Sequence, residues 1–222
     1  MQDERYLQLL SRKFPNAQSV VTELINLRAI LSLSKGTEHF VSDLHGEANA
    51  FIHMIKNASG VIRKKVDEAF GDLLPEEEKR ALCALIYYPD ERIDWVKRKY
   101  NGEEIHSLNE GFEYTTIQDW YKRRLHQVVA IARAVTIKYS RSKVYKLLPK
   151  DYAYVIKELL HESSLEQKDR QAYYNAIIEA IIETGCAEQL LISITYFIHS
   201  MAIDILHVVG DIFDRGPRPH KI

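Results

Sequence analysis

The chain has 222 residues, 46% hydrophobic and 27% charged, a composition that excludes intrinsic disorder and fits a folded protein with one sizeable core or two small ones. Thirty basic residues nearly cancel 31 acidic ones, so the net charge of -1 supplies no long-range field to draw in nucleic acid or an anionic membrane. No apolar run approaches the ~18 residues that span a bilayer, the opening MQDERYLQLLSRKF has no signal-peptide pattern, and Cys83 and Cys186 match no metal or redox spacing, so a cytoplasmic protein with reduced, core-placed thiols is expected.

Residues 3–33 read as helix broken near Phe14-Pro15-Asn16, with Val20, Leu24, Leu27 and Leu31 recurring at spacings of three and four in the second half. That stripe is expected to face a core. Residues 37–42 then read as a short buried strand ending in the loop Asp43-Leu44-His45-Gly46. From Glu47 to about Ser200 helical signals dominate, punctuated at residues 57–60, 71–75, 89–90, 101–102, 149–150 and 184–185. Pro75 followed by three glutamates marks one helix start. After Glu113 and Tyr114, Thr115 or Thr116 caps a long helix running to about Lys138.

The apolar stretches 177–182 and 190–198 predict core helices packed on two sides. Residues 203–209 return to a β-branched apolar run, the pattern of a parallel strand covered on both faces, and lead into Gly210-Asp211. The fold class expected is α/β, predominantly helical. Two parallel strands belong to a partial core formed by residues 1–46 and 201–222, with a large helical insertion over residues 47–200. Basic patches such as Arg63-Lys64-Lys65 read as solvated helix faces.

Both predicted strands end in residues that carry chemistry. Asp43 and His45 are two positions apart, which in extended backbone projects both to one side, where they can share an ion. Alone this pair is weak, since roughly a quarter of chains this long contain it by chance. Gly210-Asp211-x-x-Asp214-Arg215-Gly216 is far more specific, expected by chance in about one chain in several thousand. A strand delivers Asp211 at its carboxyl end, where open α/β sheets place ligands, and its two oxygens can bridge two cations. Arg215 offers a planar fork of donors for a phosphate, Asp214 is placed to orient a ligand, and Gly216 permits a tight turn. Metal-assisted phosphoester hydrolysis without a covalent enzyme intermediate is the chemistry these residues reach: divalent ions supply Lewis acidity and an activated water, and Arg215 absorbs developing charge.

The two motifs resemble the first two signature blocks of the calcineurin-like metallophosphoesterases. Their separation of 168 positions, with Phe40-Val-Ser-Asp-Leu-His-Gly-Glu47 and Val208-Val-Gly-Asp-Ile-Phe-Asp-Arg-Gly-Pro217, resembles class III fructose-1,6-bisphosphatase within that superfamily. The resemblance covers essentially the whole chain but only about a third of a family member, so an amino-terminal fragment is expected. It implies Asp43, His45 and Asp211 as metal ligands and Arg215 and Asp214 as catalytic residues. It further implies Mn2+ at a two-metal site, with Mg2+ or another divalent ion as an alternative, and a sugar bisphosphate as substrate, hydrolysed at its 1-phosphate in gluconeogenesis. The third block, Gly-Asn-His-Asp/Glu, is absent from these 222 residues, which argues for an inactive fragment.

Glu47 reads as the first turn of the next helix, and His39 and His207 as hydrogen-bonded strand residues. The alternatives are a helical assembly or regulatory module, compatible with a homo-oligomer, and a protein or dinucleotide phosphatase of the same superfamily. No nucleic-acid or membrane partner is expected.

Overall fold

The computed structural model describes residues 2–102, 115–161 and 168–222. The expected contribution of Glu113 and Tyr114 lies outside the described residues. Two helices open the chain, α1 (Gln2–Lys13) and α2 (Ala17–Leu31), broken at Pro15 as its missing N–H requires. Asn16 starts α2 with a reciprocal cap: its carboxamide oxygen accepts from the Ser19 N–H while its own N–H donates to Ser19 Oγ. Strand β1 (Glu38–Ser42) follows, then α3 (Ala48–Asn57), α4 (Val61–Phe70), α5 (Glu76–Tyr87) and α6 (Pro89–Tyr100). The second described stretch holds α7 (Ile117–Thr136), α8 (Arg141–Lys146) and α9 (Ala153–His161), and the third holds α10 (Lys168–Glu183), α11 (Ala187–Ala202) and β2 (Ile205–Val209).

Thr116 is the cap of α7, its hydroxyl accepting from the Asp119 N–H and its N–H donating to the Asp119 carboxylate. This helix and α11 form the centre of the helical body. Leu125, Val128, Ala132 and Val135 on α7 and Leu190, Ile194, Phe197 and Ile198 on α11 are fully or almost fully buried. On α10 Tyr174, Ile178 and Ile181 are buried, and Ile177 and Ile182 are partly buried against the same core. Cys83 is buried and Cys186 half-buried, both as free thiols.

A charged cluster also lies inside this body. Arg123 clamps the fully buried Glu78 with two hydrogen bonds of 2.6 and 3.0 Å, and the Gln127 amide donates a third. Burial pushes the Glu78 carboxyl up, but these donors outweigh it and hold the group below its ordinary range.

Strands β1 and β2 pair in parallel, with Glu38 opposite Ile205 and Ser42 opposite Val209. Both were expected to be buried, β2 on two faces, and the structure corrects this. On β1 only His39 is buried, whereas Phe40 is 70% exposed and stacks on His207 from the neighbouring strand; β2 has no buried residue. The apolar stripe of α2 also fails to reach the core. No residue of α2 is buried, because the helix forms an arm with α1 in which Leu7, Leu10 and Phe14 face Val20, Leu24 and Leu27 across an open groove.

What aligns the two strands is an acid that interrupts the apolar run before β2. The Asp204 carboxylate accepts from the Thr37 N–H at 2.7 Å, from Lys138 Nζ at 2.6 Å and from the Tyr139 hydroxyl. Thr37 O in turn accepts from the Asp204 and Ile205 N–H groups. Burial raises the Asp204 pKa, and the donors from Lys138, Tyr139 and Thr37 more than reverse that, bringing it to about 2. A Cβ on Gly36 would come within 2.9 Å of this carboxyl, so glycine is what allows the backbone to approach it.

Candidate metal centre

Because Ser42 is opposite Val209, the next residues of both strands emerge side by side at their carboxyl ends. The two loops stay zipped after the strands stop. The His45 N–H donates to Asp211 O at 2.8 Å, the Gly46 N–H to Ile212 O at 2.9 Å, and the Arg218 N–H to Gly46 O at 3.1 Å. Gly46 and Gly216 then meet back to back. A Cβ built on Gly216 would lie 1.7 Å from His45 O, so glycine is required here by the approach of a second backbone.

Asp43, His45 and Asp211 converge here, offering one ligand atom each within 4.8 Å of one another, the geometry of a group that could hold a metal ion. Their backbone is not extended, which corrects the reasoning that put Asp43 and His45 on one side. Asp43 has φ 57°, His45 φ 44° and Asp211 φ 42°, and Arg215 has φ 63°. All four sit in the left-handed region, at a cost of about 1–3 kcal/mol each, and strain so concentrated is characteristic of functional sites.

The side chains fit a divalent cation. Asp214 Oδ1 lies 2.9 Å from His45 Nδ1. With the proton on Nδ1 the imidazole donates to that carboxylate, and its Nε2 lone pair is left on the side of Asp43, whose Oδ1 is 3.7 Å away. Asp214 also accepts from Arg215 Nε at 2.9 Å, and the His45 and Arg215 hydrogen bonds hold its carboxyl below the usual range. The Arg215 side chain is 74% exposed, so its remaining donors can reach an incoming anion. Two carboxylates and one imidazole make a mixed oxygen and nitrogen donor set that could hold a divalent cation.

The model for Firmicute fructose-1,6-bisphosphatase matches residues 5–222. The chain belongs to this family. Among curated members, the class 3 fructose-1,6-bisphosphatase of Phocaeicola vulgatus is 50% identical over 221 residues, covering 100% of this chain and 31% of the relative. Those of Porphyromonas gingivalis and Clostridium botulinum are 50% identical over 220 residues and 47% identical over 213, covering 99% and 96% of this chain and 31% and 30% of the relatives. The chain thus spans about 31% of the length of the curated relatives it matches. No solved structure matches it.

Of the other candidate residues in the sequence, Glu47 is the cap residue of α3, without a side-chain cap bond, and His207 is bonded to Glu38 at 3.0 Å. His39 is buried, and its Nε2 has no partner among the described residues. The sequence reading missed the tie around Asp204. Its one signal was an acid inside a β-branched apolar run, between Ile203 and Ile205. No helix among the described residues is long and apolar enough to cross a membrane.

Proposed function

We propose that this chain carries the part of a metal-dependent phosphomonoester hydrolase that holds a divalent ion and meets the phosphate, and that the complete enzyme is a fructose-1,6-bisphosphate 1-phosphatase of gluconeogenesis in the cytoplasm. The observation that carries the reading is the convergence of Asp43, His45 and Asp211 at the ends of two paired strands, with Arg215 beside them. In this reading residues 1–46 and 201–222 are part of the catalytic core and residues 47–200 are a helical insertion into it.

Asp43, His45 and Asp211 are the ligands, and Mn2+ is the ion. When bound, the metal supplies Lewis acidity and an activated water. The protein's own groups do the rest. Asp214 fixes the His45 tautomer so that Nε2, with Arg215 Nη2 3.4 Å away, carries the lone pair for the metal, and a carboxylate in that position is commonly worth about 10–100-fold in metal affinity. Arg215 presents its outer guanidinium nitrogens to the phosphoryl oxygens and stabilises charge that grows there in the transition state. The Gly-Asn-His-Asp/Glu block is absent from these 222 residues, so the chain by itself is expected to bind one metal weakly and to turn over little sugar bisphosphate.

Titration of the chain with Mn2+, followed by the electron spin resonance of the free ion, tests this. Asp211→Asn is expected to weaken binding at least about tenfold, and Arg215→Ala to leave metal affinity nearly unchanged while abolishing phosphate release in a full-length relative carrying the same change. Equal Mn2+ affinity in the parent and Asp211→Asn would refute the assignment. Faster hydrolysis of phosphopeptides or diadenosine polyphosphates than of the sugar bisphosphate would move the enzyme to another branch of the superfamily.

A further inference from the structure

A second cavity lies at the opposite end of the strands from the metal cluster. It has a volume of about 210 Å³ and is bounded by Ser34, Lys35 and Thr37 before β1, Lys65 on α4 and Lys138 just after α7, over an apolar floor that includes Val135. Its polar wall is rich in donors. Lys138 Nζ, with a side chain only 12% exposed, donates to Thr37 Oγ1 at 2.7 Å and to Asp204 at 2.6 Å. An ammonium has three N–H groups, so one remains for a ligand. Lys65 is paired with Glu68 at 2.7 Å, whereas Lys35 and Ser34 make no side-chain hydrogen bond or ion pair among the described residues.

Charge around the cavity is unbalanced. The residues lining it include three lysines, Lys35, Lys65 and Lys138, and no acid; with Glu68 on Lys65 and Asp204 on Lys138, one positive charge is left in excess beside two hydroxyls. Such a wall favours an anion that accepts several hydrogen bonds. The volume falls below the ~300–1,000 Å³ of sites for drug-sized ligands, which restricts the occupant to something little larger than a phosphate group.

We propose that this cavity binds a small phosphate-type dianion, either free phosphate or the phosphate group of a small ester, through Lys35, Lys65, Lys138, Ser34 and Thr37. The bound anion also bears on the strands, because Thr37 and Lys138 are the donors that hold Asp204 at the start of both. The five residues of each strand separate this pocket from the metal cluster by roughly 17 Å, so the two sites are distinct. The proposal stands independently of the hydrolase reading.

The test uses the whole chain with a chelator present, so that the metal cluster takes no part. Inorganic phosphate and glycerol 3-phosphate are titrated separately at fixed ionic strength, with chloride as the control, following the thermal midpoint and the phosphorus resonance. Saturable binding is expected below about 50 mM, with a midpoint that climbs as ligand exceeds Kd. The double variant K35A/K65A is expected to weaken binding at least about tenfold and Lys35→Gln about threefold, each keeping the ligand-free midpoint of the parent, while Arg215→Ala binds as the parent does. Tighter binding of inorganic phosphate identifies the free anion as the occupant, and tighter binding of the ester identifies a phosphate monoester. The proposal is overturned by a response that does not saturate, by an equal response to chloride, by undiminished binding in K35A/K65A, or by its loss in Arg215→Ala.

Discussion

Replacing Asp204 with asparagine removes the charge on which the strand alignment depends, and the structure sets the size and the pH dependence of the loss. The Asp204 side chain is 11% exposed, and its pKa falls from 3.8 to about 2 because the donors of Lys138, Tyr139 and Thr37 overcome burial. That depression corresponds to about 2 kcal/mol of folding stability. Its sign follows from the direction: with the folded value below the unfolded one, the contribution is complete at neutral pH, begins to fade as pH drops below about 4, and is gone once pH falls through 2.

Urea unfolding followed by far-ultraviolet circular dichroism at pH 7 and pH 3 should show a gap between the parent and Asp204→Asn of about 2 kcal/mol at the higher pH and about 1 kcal/mol at the lower. Other carboxylates titrate alike in both proteins and cancel from the gap. A gap of the same size at both pH values, or one under ~0.5 kcal/mol at pH 7, would refute the reasoning.

Further outcomes follow from packing and contact. Gly216→Ala puts a methyl group 1.7 Å from His45 O, so the two loops must part, and Mn2+ affinity should fall at least about tenfold by calorimetric titration while helical dichroism is retained. Glu78→Ala strips the fully buried carboxylate that faces the equally buried Arg124 at 3.8 Å and should cost about 3–5 kcal/mol in a urea series. Leu125→Ala should cost about 2–5 kcal/mol, whereas Leu24→Ala, at a position 45% exposed on the arm, should cost under ~1 kcal/mol in the same assay.

Helix starts were legible because their chemistry is local: Asn16 and Thr116 find their partners three residues away, and Pro75 needs only its own ring and the glutamates behind it. The convergence of the candidate metal ligands was legible for a related reason, since two short motifs contain them and parallel strand pairing brings the motifs together. The route to that geometry was hidden. Side-chain alternation presumes extended backbone, and nothing in the residue types announces that Asp43, His45 and Asp211 turn left-handed.

Burial was misjudged for a different reason. Periodicity marks the apolar side of a helix but not whether anything is packed against it, so the stripe on α2 and the run in β2 were both assigned to a core that the described residues do not supply. The Asp204 tie could not be deduced, because Lys138 and Tyr139 approach it from 66 and 65 positions away.

The back-to-back contact of Gly46 and Gly216 bears on how the molecule is assembled. No side chain stands between the two glycines, and the partners are separated by most of the polypeptide. Closing so long a circuit in a flexible chain costs on the order of 4–5 kcal/mol of entropy before any contact there repays it. The helices between are therefore expected to condense first and present the two strand ends as neighbours, so that ion binding at the proposed site would report on helices that never touch it.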